Sequence, residues 1–306
     1  MTSLGRYRLL ERLGSGSFAT VWRGYDPELD AVVAVKVLAD NWAGSSDVRE
    51  RFLNEARILR RLAHPRVVRV HDVGVAIGDD GQERPYFVMD HIGGGTLADR
   101  IGRLDASEAL RLAADAARAV DVLHEAGIVH RDVKPGNLLV DADCDPVRVL
   151  VADLGSAKVL PEESFHTVVT GSPGYMAPEQ ALSTRGFDAR ADVYAMGAVA
   201  YHLLSGSLPY DTASPAEAVL RAEEPPPPIA QRLGLTRSVD SVLGRALAKD
   251  PAHRQASAAV LADELEALAA GRAVSGRLPR RWPVPAVMLV LVLVFASALA
   301  VGWLLG

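Results

Sequence analysis

The stretch Ile128-Val129-His130-Arg131-Asp132-Val133-Lys134-Pro135-Gly136-Asn137-Leu138-Leu139-Val140 puts an aspartate, a lysine and an asparagine within six positions, and its end, residues 138–140, reads as a short apolar strand. A second apolar strand over residues 149–152 leads into Val151-Ala152-Asp153-Leu154-Gly155, and further on stands Gly171-Ser172-Pro173-Gly174-Tyr175-Met176-Ala177-Pro178-Glu179. Toward the N-terminus, residues 9–13 read as a strand running into Gly14-Ser15-Gly16-Ser17-Phe18-Ala19-Thr20-Val21 and then into another strand. A glycine-rich turn lets backbone N–H groups approach phosphate oxygens, because no Cβ intervenes. Alone the turn is weak evidence, since most glycine pairs in loops only make turns. No Gly-Lys-Ser/Thr follows it, so it is not a P-loop; a strand rather than a helix comes next, unlike a dinucleotide-binding turn.

Lys36 sits inside the apolar run AVVAVKVL at 31–38. A lysine there is expensive to bury without a partner; the plain alternative is an outward-facing strand lysine. Residues 49–62 are helix-periodic, with Phe52, Glu55, Leu59 and Leu62 on one stripe. A carboxylate in the middle of an apolar stripe wants a buried cation, and Lys36 can supply it.

Composition narrows the class. The chain has 306 residues, 49% hydrophobic and 23% charged, which is globular rather than disordered. Its one cysteine, Cys144, excludes an internal disulfide and a multi-cysteine zinc site. The net charge of −5, without a long Lys/Arg run, speaks against a nucleic-acid partner. Residues 7–91 are strand-rich with one helical stretch, and residues 96–268 are mostly helix-periodic and rich in Ala and Leu. The run of prolines at 225–228 reads as a rigid loop between helices rather than a polyproline ligand.

The ordered set of glycine turn, Val-Ala-Val-Lys, His-Arg-Asp, Asp-Leu-Gly and Ala-Pro-Glu resembles the protein kinases, specifically the eukaryotic-like (Hanks-type) serine/threonine kinases of bacteria. The resemblance covers residues 7–268 and implies an α+β, two-lobed protein kinase fold. A small β-rich N-lobe is expected over 7–91 and a large helical C-lobe over 96–268. It implies ATP and Mg²⁺ as cofactors and protein substrates. Catalysis would fall to Asp132, which accepts or orients the substrate hydroxyl, and Lys134, which neutralises charge on the transferred group. Asn137 and Asp153 would hold the metal, an oxygen-ligand set that suits Mg²⁺. Gly14, Ser15 and Gly16 would cradle phosphates; Lys36 would hold the α- and β-phosphates and Glu55 would position it. Val21, Ala34 and Leu139 would sandwich the adenine, with Met89 behind it and Asp90, His91 and Ile92 as the hinge. Arg254 would pair with Glu179, and Asp192 would hold the loop of His130–Asp132. Arg131 is a ready partner for a phosphate on the activation segment; Ser164, Thr167 and Thr170 are the candidates, with Thr167 the expected main site. Lys134 at its place fits the serine/threonine branch. The chain departs from the family at Ala19 (commonly Gly), Leu154 (commonly Phe) and Ser172 (commonly Thr). A pseudokinase scaffold is the alternative function, but such proteins usually lack one of Lys36, Asp132 or Asp153. A small-molecule kinase is the weaker one, because residues 156–177 look like a peptide-positioning segment.

The mean hydropathy of +0.11 is high for so charged a chain, and the C-terminus is the cause. Residues 282–306 carry no charge, and 284–305 read VPAVMLVLVLVFASALAVGWLL. As a helix those 22 residues span about 33 Å, enough for a hydrocarbon core, so a transmembrane helix is expected after a juxtamembrane linker at 269–283. Arg277, Arg280 and Arg281 precede it, which orients residues 1–281 to the cytoplasm: a single-pass protein of the cell membrane. MTSLGRYRLLERLG at the start lacks an apolar signal core, and no sensor domain is expected beyond the span. The small-residue pairs Ala296/Ala300 and Ala298/Gly302 have the spacing that lets two helices approach, so a homodimer through this segment is an expectation as well.

Overall fold

The computed structural model describes residues 3–274 apart from 17, 43, 78–80, 82, 156–157, 160–171, 183–187, 221–224 and 273, with the backbone alone at 158–159. The expected transmembrane segment, its linker beyond 274, and Ser164, Thr167 and Thr170 lie outside these residues. Among the described residues, no helix is long and apolar enough to cross a membrane.

Six antiparallel strands form the N-lobe sheet, in the order β1-β2-β3-β4-β6-β5. They are β1 (Ser3–Leu4), β2 (Tyr7–Ser15), β3 (Ala19–Asp26), β4 (Ala31–Leu38), β5 (Val70–Ile77) and β6 (Glu83–Asp90). β1 extends the sheet ahead of the expected start at residue 7. Leu4, Tyr7, Val35 and Tyr86 build a small core on one face. Helix α1 (Ser46–Arg61) lies between β4 and β5 and buries Phe52, Glu55 and Leu59. The apolar stripe read from the sequence is therefore the packed face of this helix, and its one carboxylate is buried with it.

The C-lobe is built around α2 (Ala106–Glu125) and α4 (Arg190–Ser205). The Asp105 carboxylate caps α2 by accepting the Glu108 N–H at 2.8 Å. Six of the ten buried side chains of α2 are alanines, so neighbouring helices can pack closely. Twelve of the sixteen residues of α4 are buried, which makes it the central helix rather than an amphipathic surface one. A Cβ at Gly197 of α4 would come within 2.6 Å of Ala246, on α6 (Ser238–Ala246). That close approach is why a glycine stands there. The shorter α3 (Pro178–Ala181) and α5 (Pro215–Leu220), and α7 (Ala258–Ala269), complete the lobe.

Two small sheets carry the loops of interest. β8 (Leu138–Asp141) pairs antiparallel with β9 (Arg148–Val151), and β7 (Ile128–Val129) with β10 (Lys158–Val159). The segment 130–137 is thus strung between β7 and β8, and Asp153 follows directly on β9.

Candidate active site

The glycine turn joins β2 to β3, which pair through Gly14 with Val21 and Ser15 with Thr20. The Gly16 N–H donates to the Ala19 carbonyl at 2.9 Å. A Cβ at Gly14 would meet nothing within 4 Å, and one at Gly16 only the Ala19 carbonyl at 3.6 Å. Neither glycine has a positive φ. The fold itself therefore needs no glycine at either position, and what their bareness preserves is open space beside the turn.

Lys36 on β4 is buried, and three contacts hold its ammonium. It donates to Glu55 Oε1 at 2.7 Å and Oε2 at 2.9 Å, and to Asp153 Oδ1 at 3.0 Å. The pairing expected from the sequence is present, and the Asp153 contact ties the two lobes together as well. Burial works against the Lys36 charge, but the charges of Glu55 and Asp153 outweigh it and raise its pKa. Burial likewise opposes ionisation of Asp153, yet Lys36 prevails and holds that carboxyl at about 2. For Glu55 burial is the stronger influence and pushes its carboxyl up, against the pull of Lys36. The Asp153 side chain remains 47% exposed, so an ionised carboxylate faces open space opposite a buried cation. Its φ of +60° and the +71° of Arg131 are unusual for non-glycine residues, and such strain gathers at functional sites.

The 130–137 loop is held from below. Asp192, at the start of α4 and buried, accepts the His130 N–H at 2.8 Å and the Arg131 N–H at 2.9 Å. His124 on α2 contacts the same carboxylate at 2.9 Å. Burial opposes the Asp192 charge, but His124 and the loop amides prevail and lower its pKa. This scaffold presents Asp132, whose Oδ2 accepts from Lys134 Nζ at 2.7 Å. Asp132 Oδ1 accepts from the Ser172 N–H at 3.0 Å and hydroxyl at 3.2 Å, so the departure to serine keeps the bridge. Asn137 donates its amide to the Asp132 carbonyl at 2.8 Å, which directs its own side-chain oxygen elsewhere. Among the described residues no group of three or more His, Cys, Asp and Glu side chains could hold a metal. Asp153 and Asn137 alone would be an incomplete set, as suits a cation that takes its remaining ligands from phosphate and water.

Between the lobes, Val21, Ile92 and Leu139 are partly buried and pack against the core that contains Ala34 and Met89. The Asp90 side chain turns toward β5, where it contacts His71 at 2.6 Å. Arg254 and Glu179 form the expected pair through two contacts, at 2.6 and 2.8 Å. Arg131 is half-buried, and burial lowers its pKa against the charge of Asp192. Its expected partners Thr167 and Thr170 lie outside the described residues. Two contacts carried no sequence signal, although His130 itself belongs to the His-Arg-Asp stretch. Gln180 on α3 donates to the Arg131 carbonyl at 2.5 Å, and the His130 ring contacts the Ala152 carbonyl at 3.2 Å. Both are polar side chains serving a distant backbone group, which no hydropathy pattern marks.

The protein kinase domain family matches residues 7–265. The serine/threonine-protein kinase PksC of Streptomyces coelicolor is 38% identical over 87% of this chain and 49% of its own length. In Mycobacterium tuberculosis, PknJ is 35% identical over 89% of this chain and 47% of its own, and PknA 36% over 89% and 63%. The chain thus spans about half to two-thirds of the length of these curated relatives.

Proposed function

The chain belongs to the protein kinase family, beside the eukaryotic-like serine/threonine kinases of bacteria, and from that premise we propose that it is an active, membrane-anchored serine/threonine protein kinase using ATP. The observation that carries this reading is that Lys36 of the N-lobe is held at once by Glu55 and Asp153, while Asp132, Lys134 and Asn137 form one bonded group on the C-lobe. A pseudokinase scaffold has no need of all six groups.

The open space at Gly14 and Gly16 and the low pKa of Asp153 fit a phosphate chain and a hard cation. Asp153 and the side-chain oxygen of Asn137 would hold Mg²⁺, which supplies charge neutralisation on the phosphate oxygens. Lys36 would bind the α- and β-phosphates by giving up its contact to Asp153 while Glu55 keeps it in place, since its three N–H donors are all engaged here. Val21, Ala34, Leu139 and Met89 enclose the adenine, and Asp90, His91 and Ile92 border it. A carboxylate offers about four acceptor positions, and Lys134, Asn137 and the two donors of Ser172 fill those of Asp132. A substrate serine or threonine hydroxyl would displace one of the longer contacts, from Asn137 at 3.3 Å or the Ser172 hydroxyl at 3.2 Å, to pass its proton to Asp132. The hydroxyl oxygen bonds to the γ-phosphorus as the bond to the ADP oxygen breaks, with Lys134 beside the transferred group. Positioning and charge carry the rate.

The test is Mg²⁺-ATP with a generic basic protein acceptor, comparing wild type with Asp132→Asn. Incorporation by wild type and its loss in the variant are expected; no incorporation by wild type returns the chain to the scaffold reading. Replacing Gly14 and Gly16 by alanine is expected to raise KM for ATP several-fold without moving Tm, since the added methyl groups meet little of the protein. An unchanged KM would take the phosphates away from this turn.

The anchor and the regulation are part of the same proposal. The uncharged 22 residues at 284–305 support a membrane helix, with the kinase domain on the cytoplasmic side. Arg131, beside the catalytic Asp132, supports activation by phosphorylation, with Thr167 as the site. Mass spectrometry after ATP incubation is expected to find Thr167 modified; fully active enzyme with Thr167 unmodified rules it out.

A further inference from the structure

The connection after α1 does more than lead to β5. It joins the small C-lobe sheet: Val67 bridges Val151 of β9, with the Val68 N–H donating to the Val151 carbonyl at 3.1 Å and the Val151 N–H to the Arg66 carbonyl at 2.9 Å. Asp115, on α2, reinforces that junction from behind. One oxygen pairs with the Arg66 guanidinium, and the other accepts the Val149 N–H at 2.5 Å. Arg66 stands five residues after the end of α1, which carries Glu55. Val149 stands four residues before Asp153. One half-buried carboxylate therefore holds both the connection that follows Glu55 and the strand that leads to Asp153. Those are the two acids between which Lys36 is suspended.

We propose that Asp115 and Arg66 act as positioning residues for phosphoryl transfer, fixing the separation of Glu55 and Asp153 and so the place of the Lys36 ammonium. Their side chains bond to each other and to the Val149 N–H rather than to Lys36, Asp132 or Asp153. The inference rests on the kinase reading above and adds to it a pair on the far side of the lobe junction. The physical reason is leverage. Lys36 is held by contacts of 2.7 to 3.0 Å from two lobes, so a small slip between the α1 connection and β9 breaks one of them.

The experiment uses the full chain. Arg66→Ala removes one arm of the clamp, Asp115→Ala both, and Arg66→Lys keeps the charge. In Arg66→Ala and Asp115→Ala, kcat is expected to fall about tenfold, with KM for the protein acceptor unchanged; Arg66→Lys is expected to restore most of the loss. In a Glu55→Gln background the Arg66→Ala loss is expected to shrink to nearly nothing, because both changes then act on the same displaced lysine. Hydrogen exchange gives a readout independent of turnover: the amides of α1 and of residues 149–153 are expected to exchange faster together in Arg66→Ala. Unchanged kcat in both alanine variants overturns the proposal, as does a loss that adds fully to that of Glu55→Gln, which would be plain destabilisation. If wild type shows no transfer at all, the kinase reading fails. The clamp is then judged by exchange alone, and α1 and residues 149–153 opening independently overturn it.

Discussion

Asp153→Asn is expected to lower kcat by at least about 100-fold, the cost of removing one charge aimed at the reacting phosphates, while Tm stays within a few degrees of wild type. The side chain is 47% exposed, so the amide can be solvated and the fold loses only the contact to Lys36. Lys36→Met is expected to remove activity as completely but to behave differently as a folded protein. Glu55 is 3% exposed and Lys36 is its partner, so the methionine strands a buried carboxyl. Breaking a buried pair in this way can cost about 3–5 kcal/mol, and Glu55 limits the loss by taking up a proton. Burial already pushes the Glu55 carboxyl above its ordinary value, and without Lys36 it rises further. A carboxyl whose folded pKa is raised contributes stability that is present below its unfolded value and lost as pH climbs through the folded one. Tm of Lys36→Met should therefore fall as pH rises above the ordinary carboxyl range, a trend weaker in Asp153→Asn, where Glu55 keeps Lys36 and loses the upward push of the Asp153 charge. Near-normal turnover in either variant, with a native-like melt, would sink the catalytic assignment. A flat Tm profile for Lys36→Met would mean that Glu55 finds another cation.

The contrast between these two acids bears on what a chain can reveal before it folds. Glu55 was legible because an apolar helical stripe has one inward side, so its lone carboxylate had to meet a buried cation, and an apolar strand offered only Lys36. The third member, Asp153, is 117 residues from Lys36, and no local pattern links them. Its place came from resemblance to ordered motifs rather than from periodicity. The same holds for Asp192, whose carboxylate serves two backbone amides 62 and 61 residues away. Asp115 and Gln180 were missed altogether. Each bonds a distant main-chain group, and such a bond leaves no trace in spacing or composition. The lobes themselves were readable as a change from alternating to helical periodicity near residue 91. The two-residue strands β1, β7 and β10 were not, since a single period of strand alternation is too short to stand out as a pattern.

Glu179→Ala is expected to destabilise the domain by about 3–5 kcal/mol, because it leaves a buried guanidinium without its counter-charge. The Arg254 side chain has no exposed surface. Besides Glu179 it donates to the carbonyls of Ala248 at 2.8 Å, Arg190 at 2.9 Å and Lys249 at 3.1 Å, and it lies over the Tyr194 ring at 5.0 Å. Those carbonyls solvate the charge but do not neutralise it. For a domain of this size the loss corresponds to a fall in Tm of about 10 °C. Arg254→Lys should fare little better, since a point charge cannot reproduce a planar fork bonded to both carboxylate oxygens. The double variant Glu179→Leu with Arg254→Met should recover part of the loss, because removing both charges also removes the need to desolvate them. Activity should suffer before unfolding does. Glu179 shares α3 with Gln180, which supports the Arg131 carbonyl next to Asp132, so loosening α3 slackens the loop that carries Asp132, the proposed catalytic residue. A calorimetric ΔΔG below about 1 kcal/mol for Glu179→Ala would put the pair in the class of solvent-shared surface contacts. The lobe would then owe its stability to the apolar surface around α4 rather than to this ion pair.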